Sequence, residues 1–227
     1  MPSHSYDVLI RLAPQVPAAI VQRAARWTFD SVPSTPAAAA SVILLRDGSA
    51  GLETYLLHRH ARMAFAPSMV VFPGGGVDAA DASEEADPLY RCALRETFEE
   101  TGVVLSAANL YPWAHWITPE IEPRRYDTRF FVAEMPQDQE AADISGETNY
   151  ADWSTPDAAL AAERSGRILM LPPTISILIE LADLPNVAEV IKHAIGRQIE
   201  PVLPQLVETE SGWQFRYPQA GSDKTST

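Results

Sequence analysis

Three glutamates stand close together in one short stretch of this chain. Glu96, Glu99 and Glu100 follow Arg95 within residues 95–103, which read RETFEETGV. Residues three and four apart are neighbours on a helix, so a helix crowds three negative charges into about one turn, and each like-charge pair costs a few tenths of a kcal/mol. A hard divalent cation such as Mg²⁺ removes this repulsion, because it prefers carboxylate oxygens and also binds water and phosphate. The spacing therefore predicts metal-assisted phosphate chemistry.

The flanking residues indicate how these glutamates are positioned. Residues 70–72 form an apolar run typical of a strand and lead into Pro73 and three glycines. Residues 89–101 contain neither Gly nor Pro, which predicts a helix that ends at Gly102. A solvated helix end with an ordinary i,i+4 ion pair is the alternative interpretation of the acidic run. That alternative leaves the strand and the glycines in front of the helix unexplained.

The run R-E-T-F-E-E-T-G-V resembles the signature R-E-U-x-E-E-x-G-U of the Nudix hydrolases, in which U is an apolar or small residue. Phe72-Pro73-Gly74-Gly75 resembles the strand end and glycine pair that precede this signature. The second glycine usually lies 14 positions before the arginine, whereas Gly75 lies 20 positions before it, so the loop is six residues longer. The family's outer acid, eight positions before the arginine, would be Asp87. Glu84 and Glu85 lie just upstream, and the sequence leaves open which of the three replaces that acid.

The resemblance implies hydrolysis of a nucleoside diphosphate linked to another group, with Mg²⁺ or Mn²⁺ as the cofactor. The metal ligands that it implies are Glu96, Glu99, Glu100 and the backbone carbonyl of Gly75. Glu99 is the first candidate for the general base, and Glu147, in a turn-rich loop, is the second. Arg95 is expected to orient a glutamate through an ion pair.

A second, less specific resemblance concerns the substrate. Residues 57–67, 116–119 and 124–131 resemble the peroxisomal acyl-coenzyme A diphosphatases, a Nudix subgroup that also has a lengthened signature loop. This likeness covers roughly residues 38–183 and implies coenzyme A or its thioesters as the substrate. ADP-ribose, NADH and other nucleotide derivatives are alternative substrates, and a Nudix fold can also serve as a non-catalytic ligand sensor. The complete set of three glutamates favours catalysis.

Positive charge is scarce in this chain. The net charge is −13, which disfavours nonspecific binding to nucleic acid, because such binding needs basic patches. A phosphorylated substrate then requires cations that are concentrated locally. Two clusters could supply them, Arg59, His60 and Arg62 before the glycines and Arg124 with Arg125 before a late strand. We expect Arg59, Arg62 and Arg125 to bind substrate, with Arg59 or Arg62 on the 3′-phosphate of coenzyme A.

Length and patterning predict one main domain of α/β class. The chain has 227 residues, of which 46% are hydrophobic, enough for a single core. We divide it into an N-terminal helix with a linker (1–37), the Nudix domain with C-terminal helices (38–217) and a flexible tail (218–227). Predicted strands are 39–46, 53–58, 69–72, 103–105, 113–117, 127–134 and 149–153, and predicted helices are 16–27, 156–165, 173–181 and 187–195. The resemblance implies the Nudix fold, an α/β/α sandwich with a mixed central sheet.

Other features concern compartment and partners. Cys92 is the single cysteine and is interpreted as a core residue. One cysteine excludes an internal disulfide, which suits a reducing compartment and favours the cytoplasm. No secretory leader is evident, and the apolar stretch 168–181 is interrupted by two prolines, so no membrane contact is expected. The expected partner is a small nucleoside diphosphate substrate, and family analogy adds a homodimer.

Aromatic residues raise the question of where a nucleobase would lie. The candidates near the predicted site are Trp113, Trp116, Tyr126, Phe130 and Phe131. Core packing is the commoner role for such side chains, so at most one or two of them are expected to face a ligand.

Overall fold

The computed structural model describes residues 9, 16, 18–28, 30–62, 68–84, 86–146, 148–210 and 212–217. The helices are α1 (Ala18–Ala24), α2 (Pro88–Thr101), α3 (Pro156–Arg164), α4 (Pro172–Ala182) and α5 (Val187–Ala194). The strands are β1 (Ala37–Gly48), β2 (Gly51–Arg59), β3 (Val70–Val71), β4 (Gly74–Gly76), β5 (Tyr111–Ile117), β6 (Tyr126–Glu134), β7 (Thr148–Ser154), β8 (Pro201–Val202), β9 (Gln205–Thr209) and β10 (Gly212–Arg216). Short 3₁₀ turns lie at Ala79–Asp81 and Ala107–Asn109.

A mixed sheet is built around β1. Its strand order is β3-β2-β1-β6-β5-β8, with β7 added to β2 and β4 added to β1. Strand β1 runs parallel to β6 and antiparallel to β2, and residues 39–45 of β1 are buried throughout. Burial on both faces is what a parallel pair in the middle of a sheet requires. The turn between Gly48 and Gly51 forms the predicted hairpin.

Two layers of helices cover this sheet. On one face, Ile43 and Leu45 belong to a core cluster that includes buried residues of α3, α4 and α5. On the other face, Val42 packs in a cluster with Cys92 and Ala93 of α2. The predicted α/β/α sandwich with a mixed sheet is therefore confirmed. Cys92 is fully buried, as predicted, and this burial raises the pKa of its thiol to about 12.

A wedge of chain separates β1 from β2. The two strands pair over residues 45–48 and 51–54 and then diverge. Residues 70–76, which we call the glycine wedge, enter there, with β3 pairing to β2 and β4 pairing to residues 39–41 of β1. The two legs of the wedge are joined by Phe72 and Pro73, and the Pro73 carbonyl accepts a hydrogen bond from Val42 N (2.8 Å). The glycines thus form a strand of the sheet, where a loop was expected.

Most predicted elements are present, with small shifts at their ends. The strands at 39–46, 53–58, 113–117, 127–134 and 149–153 and the helices at 156–165, 173–181 and 187–195 are confirmed. The strand predicted at 103–105 is wrong. Val103 packs in a core cluster. The Gln139 side chain accepts a hydrogen bond from Val104 N (2.7 Å) and donates one to Val104 O (3.0 Å), so a side chain satisfies the backbone groups that a neighbouring strand would otherwise pair with.

The two ends of the chain differ from expectation in other ways. Helix α1 covers only part of the predicted 16–27, and the short strands β8, β9 and β10 were not predicted. The division into 1–37, 38–217 and 218–227 stays a prediction, and the predicted tail lies outside the described residues. Among the described residues, no helix combines the length and apolar character needed to cross a membrane.

Candidate active site

Helix α2 carries the three glutamates and has defined caps at both ends. Asp87 is its N-cap, because the Asp87 carboxylate accepts a hydrogen bond from Leu89 N (2.9 Å), and Pro88 occupies the first turn. Gly102 ends the helix with a left-handed conformation (φ 72°). Asp87, one of three candidates for the family's outer acid, therefore serves the start of the helix.

The acid that pairs with Arg95 is Asp81, a residue that the sequence interpretation missed. The Asp81 side chain is 2% exposed. The Arg95 guanidinium donates a hydrogen bond to each of its carboxylate oxygens, from Nε to Oδ1 (3.0 Å) and from Nη2 to Oδ2 (2.8 Å). Such bidentate pairs are strong and directional. Of the other two candidates, Glu84 is exposed and Glu85 lies outside the described residues.

A countable signal could have found Asp81. The usual spacings place the outer acid six positions after the second glycine, and Asp81 lies six positions after Gly75. The extra residues therefore lie between Asp81 and Arg95. The position eight residues before Arg95 is Asp87, the helix N-cap, because the lengthened loop shifts the spacing on that side.

Arg95 links this acid to the glutamates and to the glycine wedge. Its Nη1 donates to Glu96 Oε1 (2.7 Å) and to Glu99 Oε2 (3.1 Å), while its Nη2 donates to the Gly76 carbonyl (3.1 Å). The hydrogen bonds from Arg95 hold the pKa of Asp81 below its ordinary value, and those to Asp81 and Glu96 raise the pKa of Arg95. The guanidinium therefore stays charged and neutralises part of a dense acidic cluster.

Glu96 and Glu100 lie against the glycine leg of the wedge. A Cβ built on Gly75 would meet the Glu96 carboxylate at 2.4 Å, so a larger residue here would push that carboxylate out of its present position. Burial raises the pKa of Glu96, and the charges of Glu99 and Asp81 act in the same direction, against the hydrogen bond from Arg95. Glu100 is 4% exposed and its Oε2 accepts from Gly74 N (2.7 Å).

The other predicted site residues lie in different surroundings. Glu99 is 55% exposed at the edge of the cluster, and Glu147 lies outside the described residues. Arg59 ends β2 and Arg62 is exposed in the turn that follows. Arg125 is only 7% exposed, and its guanidinium donates to backbone carbonyls of Ser34 (2.7 Å) and Thr118 (3.0 Å). The fold therefore uses the Arg125 donors to tie two loops together.

The cluster has the chemistry of a divalent-cation site. Its donors are hard carboxylate oxygens, and the half-buried Glu96 carries a raised pKa that a neighbouring cation would lower again. Within the described part of the chain, no three His, Cys, Asp or Glu side chains are arranged to hold a metal ion as they stand. The carboxylates of Glu96 and Glu99 accept hydrogen bonds from Arg95, and that of Glu100 accepts one from Gly74 N. These three side chains would have to turn away from their present donors to bind an ion.

Comparison with known proteins identifies the family. The NUDIX domain profile matches residues 35–172, which is more than half of the chain. The chain belongs to the Nudix family. A Caenorhabditis elegans protein that bears the name nudix hydrolase 7 is 27% identical over 214 residues, covering 78% of this chain and 70% of its own. The acyl-coenzyme A diphosphatase of Xenopus laevis is 21% identical over 266 residues, covering 74% of this chain and 70% of its own.

Solved structures agree with this assignment. A NUDIX hydrolase from Alicyclobacillus acidocaldarius superposes with a TM-score of 0.63 at 26% identity, over 70% of this chain and 96% of that protein. The NUDIX domain of Shewanella oneidensis NrtR, solved with ADP ribose, has a TM-score of 0.51 at 16% identity, over 74% and 97% of the two chains, a likeness of fold alone. The protein is therefore a Nudix diphosphatase, an enzyme class that acts on nucleoside diphosphate derivatives with a divalent metal ion.

The three consecutive glycines of this Nudix hydrolase should respond differently to alanine. Gly74→Ala would place Cβ at 2.5 Å from Ala40 O at a φ of +156°, so we expect it to lower the free energy of unfolding by about 2 kcal/mol. Gly75→Ala meets only the movable Glu96 carboxylate, so stability should change little while metal-dependent hydrolysis falls at least about tenfold. Gly76→Ala, whose nearest neighbour is 4.0 Å away, is the control. Urea unfolding and activity assays test this order; equal activity of the Gly75 and Gly76 variants would contradict it.

The Asp81–Arg95 pair should make stability depend on pH. Since the pKa of Asp81 is lowered in the folded state, its contribution is complete above the unfolded value of about 3.9 and is lost as the pH falls through the folded value. At pH 7, Asp81→Asn should cost about 3 kcal/mol of unfolding free energy, because it leaves Arg95 without its main partner. Urea unfolding between pH 7 and pH 3 should show this difference shrinking at the acid end. The exposed Asp183→Asn is the control, and a pH-independent difference would refute the assignment.

Proposed function

We propose that this Nudix hydrolase cleaves the diphosphate of coenzyme A or acyl-coenzyme A by attack of water, with Mg²⁺ or Mn²⁺ as cofactor. The observation that carries the catalytic part is the packing of Glu96 and Glu100 against the glycine leg, with Arg95 joining Glu96 and Glu99 to Asp81. The substrate part is supported by the similarity to acyl-coenzyme A diphosphatases and by the lengthened loop between Asp81 and Arg95.

Each residue of the cluster has a role in this proposal. Glu96, Glu99, Glu100 and the Gly75 carbonyl would hold the metal, which would neutralise charge on the diphosphate and favour loss of a proton from water. Arg95 acts as a positioning residue, because its donors reach two of these glutamates and the buried Asp81. It orients the carboxylates through hydrogen bonds in two directions and does not itself need to touch substrate.

Glu99 is proposed as the general base. Its side chain is 55% exposed, so it can meet a solvent water that the buried Glu100 cannot reach without movement. A general base needs only to lie within hydrogen-bond distance of the water that it deprotonates. Glu147 stays the second candidate for the general base. Arg59, Arg62 and Arg125 stay predictions for substrate binding, and Arg125 would have to release the Ser34 and Thr118 carbonyls to fill that role. The cytoplasmic location and the homodimer also stay predictions.

A panel of diphosphate compounds tests the proposed reaction. The enzyme is incubated with coenzyme A, acyl-coenzyme A, ADP-ribose or NADH in Mg²⁺ or Mn²⁺, and the products are identified by mass spectrometry. The first two compounds should give adenosine 3′,5′-bisphosphate. Glu99→Gln and Glu100→Gln should each lower kcat at least about a hundredfold, because a neutral amide is a poor ligand and a poor base. The exposed Glu208→Gln on the β9–β10 hairpin is the matched control.

The outcomes of that panel separate the hypotheses. Turnover that survives both glutamine substitutions would exclude the proposed metal site. Faster hydrolysis of ADP-ribose or NADH than of coenzyme A would keep the enzyme class and replace the substrate. Absence of turnover for every compound, together with tight binding of one of them, would favour the ligand-sensor alternative.

Recognition of the 3′-phosphate can be tested at the end of β2. Arg59→Ala and Arg62→Ala should raise KM for coenzyme A several-fold while leaving KM for 3′-dephospho-coenzyme A nearly unchanged, because only the first carries the phosphate that a guanidinium would bind. Arg167→Ala, in the loop after α3, is the control. Equal increases in KM for the two substrates would show that these arginines do not read the 3′-phosphate.

A further inference from the structure

The aromatic residues expected beside the site are mostly buried in the core. The buried members of this set are Trp113, Trp116, Phe130 and Phe131. Tyr126 is half-buried, and alternation along β6 puts it on the sheet face of Phe130, away from α2. Ligand recognition on the helix side of the sheet must therefore rely on other side chains.

Strand register places Arg129 on the same sheet face as the carboxylate cluster. Gly75 of β4 pairs with Ala40 of β1, and Ala40 pairs on its other side with Arg129 of β6. Residues that are paired across strands direct their side chains to one face. A Cβ on Gly75 would point at Glu96, and Ala40 packs in a cluster with residues of α2. Arg129 therefore lies on the face that this helix covers.

The core clusters support this placement independently. Side chains alternate between faces along a strand, and Phe131, two residues after Arg129, packs in the cluster with Cys92 of α2. Phe130 packs in the cluster of the opposite face. Neighbouring strands are about 4.8 Å apart, so the Cα of Arg129 lies about 10 Å from that of Gly75, with β1 between them. A side chain of arginine length and a diphosphate held at the glycine leg can meet over this distance.

The sheet face next to Arg129 is open and has only small side chains. Ala38 lies in the central strand β1, on the same face as Ala40. Its partner on β6 is Asp127, and on the other side its carbonyl accepts a hydrogen bond from Val77 N (2.8 Å). A residue with chain on both sides becomes exposed only where its face is uncovered, and Ala38 is exposed. The surface beside α2 therefore has room for a ligand.

Arg129 brings a positive charge to this surface without a counter-ion. Its side chain is half-buried, and within the described part of the chain it makes no ion pair or hydrogen bond. The acid two residues before it, Asp127, is engaged by His115, whose Nε2 lies 2.6 Å from Asp127 Oδ1. Burial lowers the pKa of His115, and the charge of Arg129 acts in the same direction, against the hydrogen bond to Asp127. A partly desolvated cation of this kind favours an anionic ligand.

We propose that Arg129 binds a phosphate of the substrate diphosphate, across β1 from the glutamates of α2. The inference rests on the proposed function, because it assumes a diphosphate held at the glycine leg. A guanidinium suits this role, since its N–H donors match two oxygens of one phosphate group. The competing explanation is that Arg129 balances the negative charge of the acidic cluster from a distance and touches no ligand.

A diphosphate that cannot be hydrolysed tests the contact directly. In α,β-methylene-ADP a carbon replaces the bridging oxygen, so calorimetric titration in Mg²⁺ measures binding without turnover. Arg129→Met should weaken this binding at least about tenfold, because a charge-assisted contact is lost. Arg129→Lys, which keeps the charge but not the paired donors, should recover only part of the affinity. A charge that acts only from a distance would be replaced completely by lysine, so wild-type affinity in Arg129→Lys would contradict the contact.

A matched arginine controls for loss of charge and stability. Arg216→Met removes an exposed arginine on the β9–β10 hairpin and should leave the affinity unchanged. Thermal melting shows whether each variant is folded, and the stoichiometry of the titration reports the fraction of protein that is able to bind. Affinity of Arg129→Met within about twofold of the wild type, or a wild-type protein that shows no saturable binding, would overturn the inference.

Hydrolysis distinguishes this contact from recognition of the 3′-phosphate. Arg129→Met should lower kcat/KM at least about tenfold for both coenzyme A and 3′-dephospho-coenzyme A, because both contain the diphosphate. If coenzyme A is hydrolysed and Arg129→Met keeps the wild-type rate and affinity, the inference is wrong and the proposed reaction stands. If no diphosphate is turned over, the titration still applies. Weaker binding of α,β-methylene-ADP to Arg129→Met would then support the contact although the proposed reaction had failed.

Discussion

One buried ion pair sets the geometry on which the rest of the site depends. Asp81 is almost completely removed from solvent and receives two hydrogen bonds from Arg95, which extends its remaining donors to Glu96, Glu99 and the Gly76 carbonyl. A buried carboxylate is costly unless it is paired and hydrogen-bonded, so this acid fixes where the guanidinium must lie. The 3₁₀ turn, the glycine wedge and helix α2 are thereby joined at a single side chain.

The glycine wedge provides the second constraint, which is steric. Strand β4 pairs with the central strand β1, so its backbone cannot retreat from the helix that packs above it. Glu96 and Glu100 can approach this backbone because Gly75 has no side chain and Gly74 offers its N–H group. The Arg95 charge and the missing side chain of Gly75 together allow the carboxylates of α2 to lie against the sheet.

The sequence predicted the helix, its glutamates and the hairpin because those features follow from neighbouring residues. Gly102 ends α2, and the glycines at 48 and 51 flank the turn between β1 and β2, as local turn chemistry indicates. The role of Asp81 is not evident from the sequence, because the loop between it and Arg95 is lengthened and the two residues meet only in the folded chain. The expected strand at 103–105 failed for a similar reason: the apolar residues there fill the core while the Gln139 side chain replaces strand pairing at Val104.

By itself, the sequence determined the family, the α/β class and the three acids on one helix, since each depends on residue types at short spacing. Only the tertiary structure decided which acid pairs with Arg95 and which arginine serves the backbone. Asp81 pairs with an arginine 14 positions away, and Arg125 donates to the Ser34 carbonyl 91 positions away. Such partners are brought together by packing and by sheet register, which no local pattern encodes.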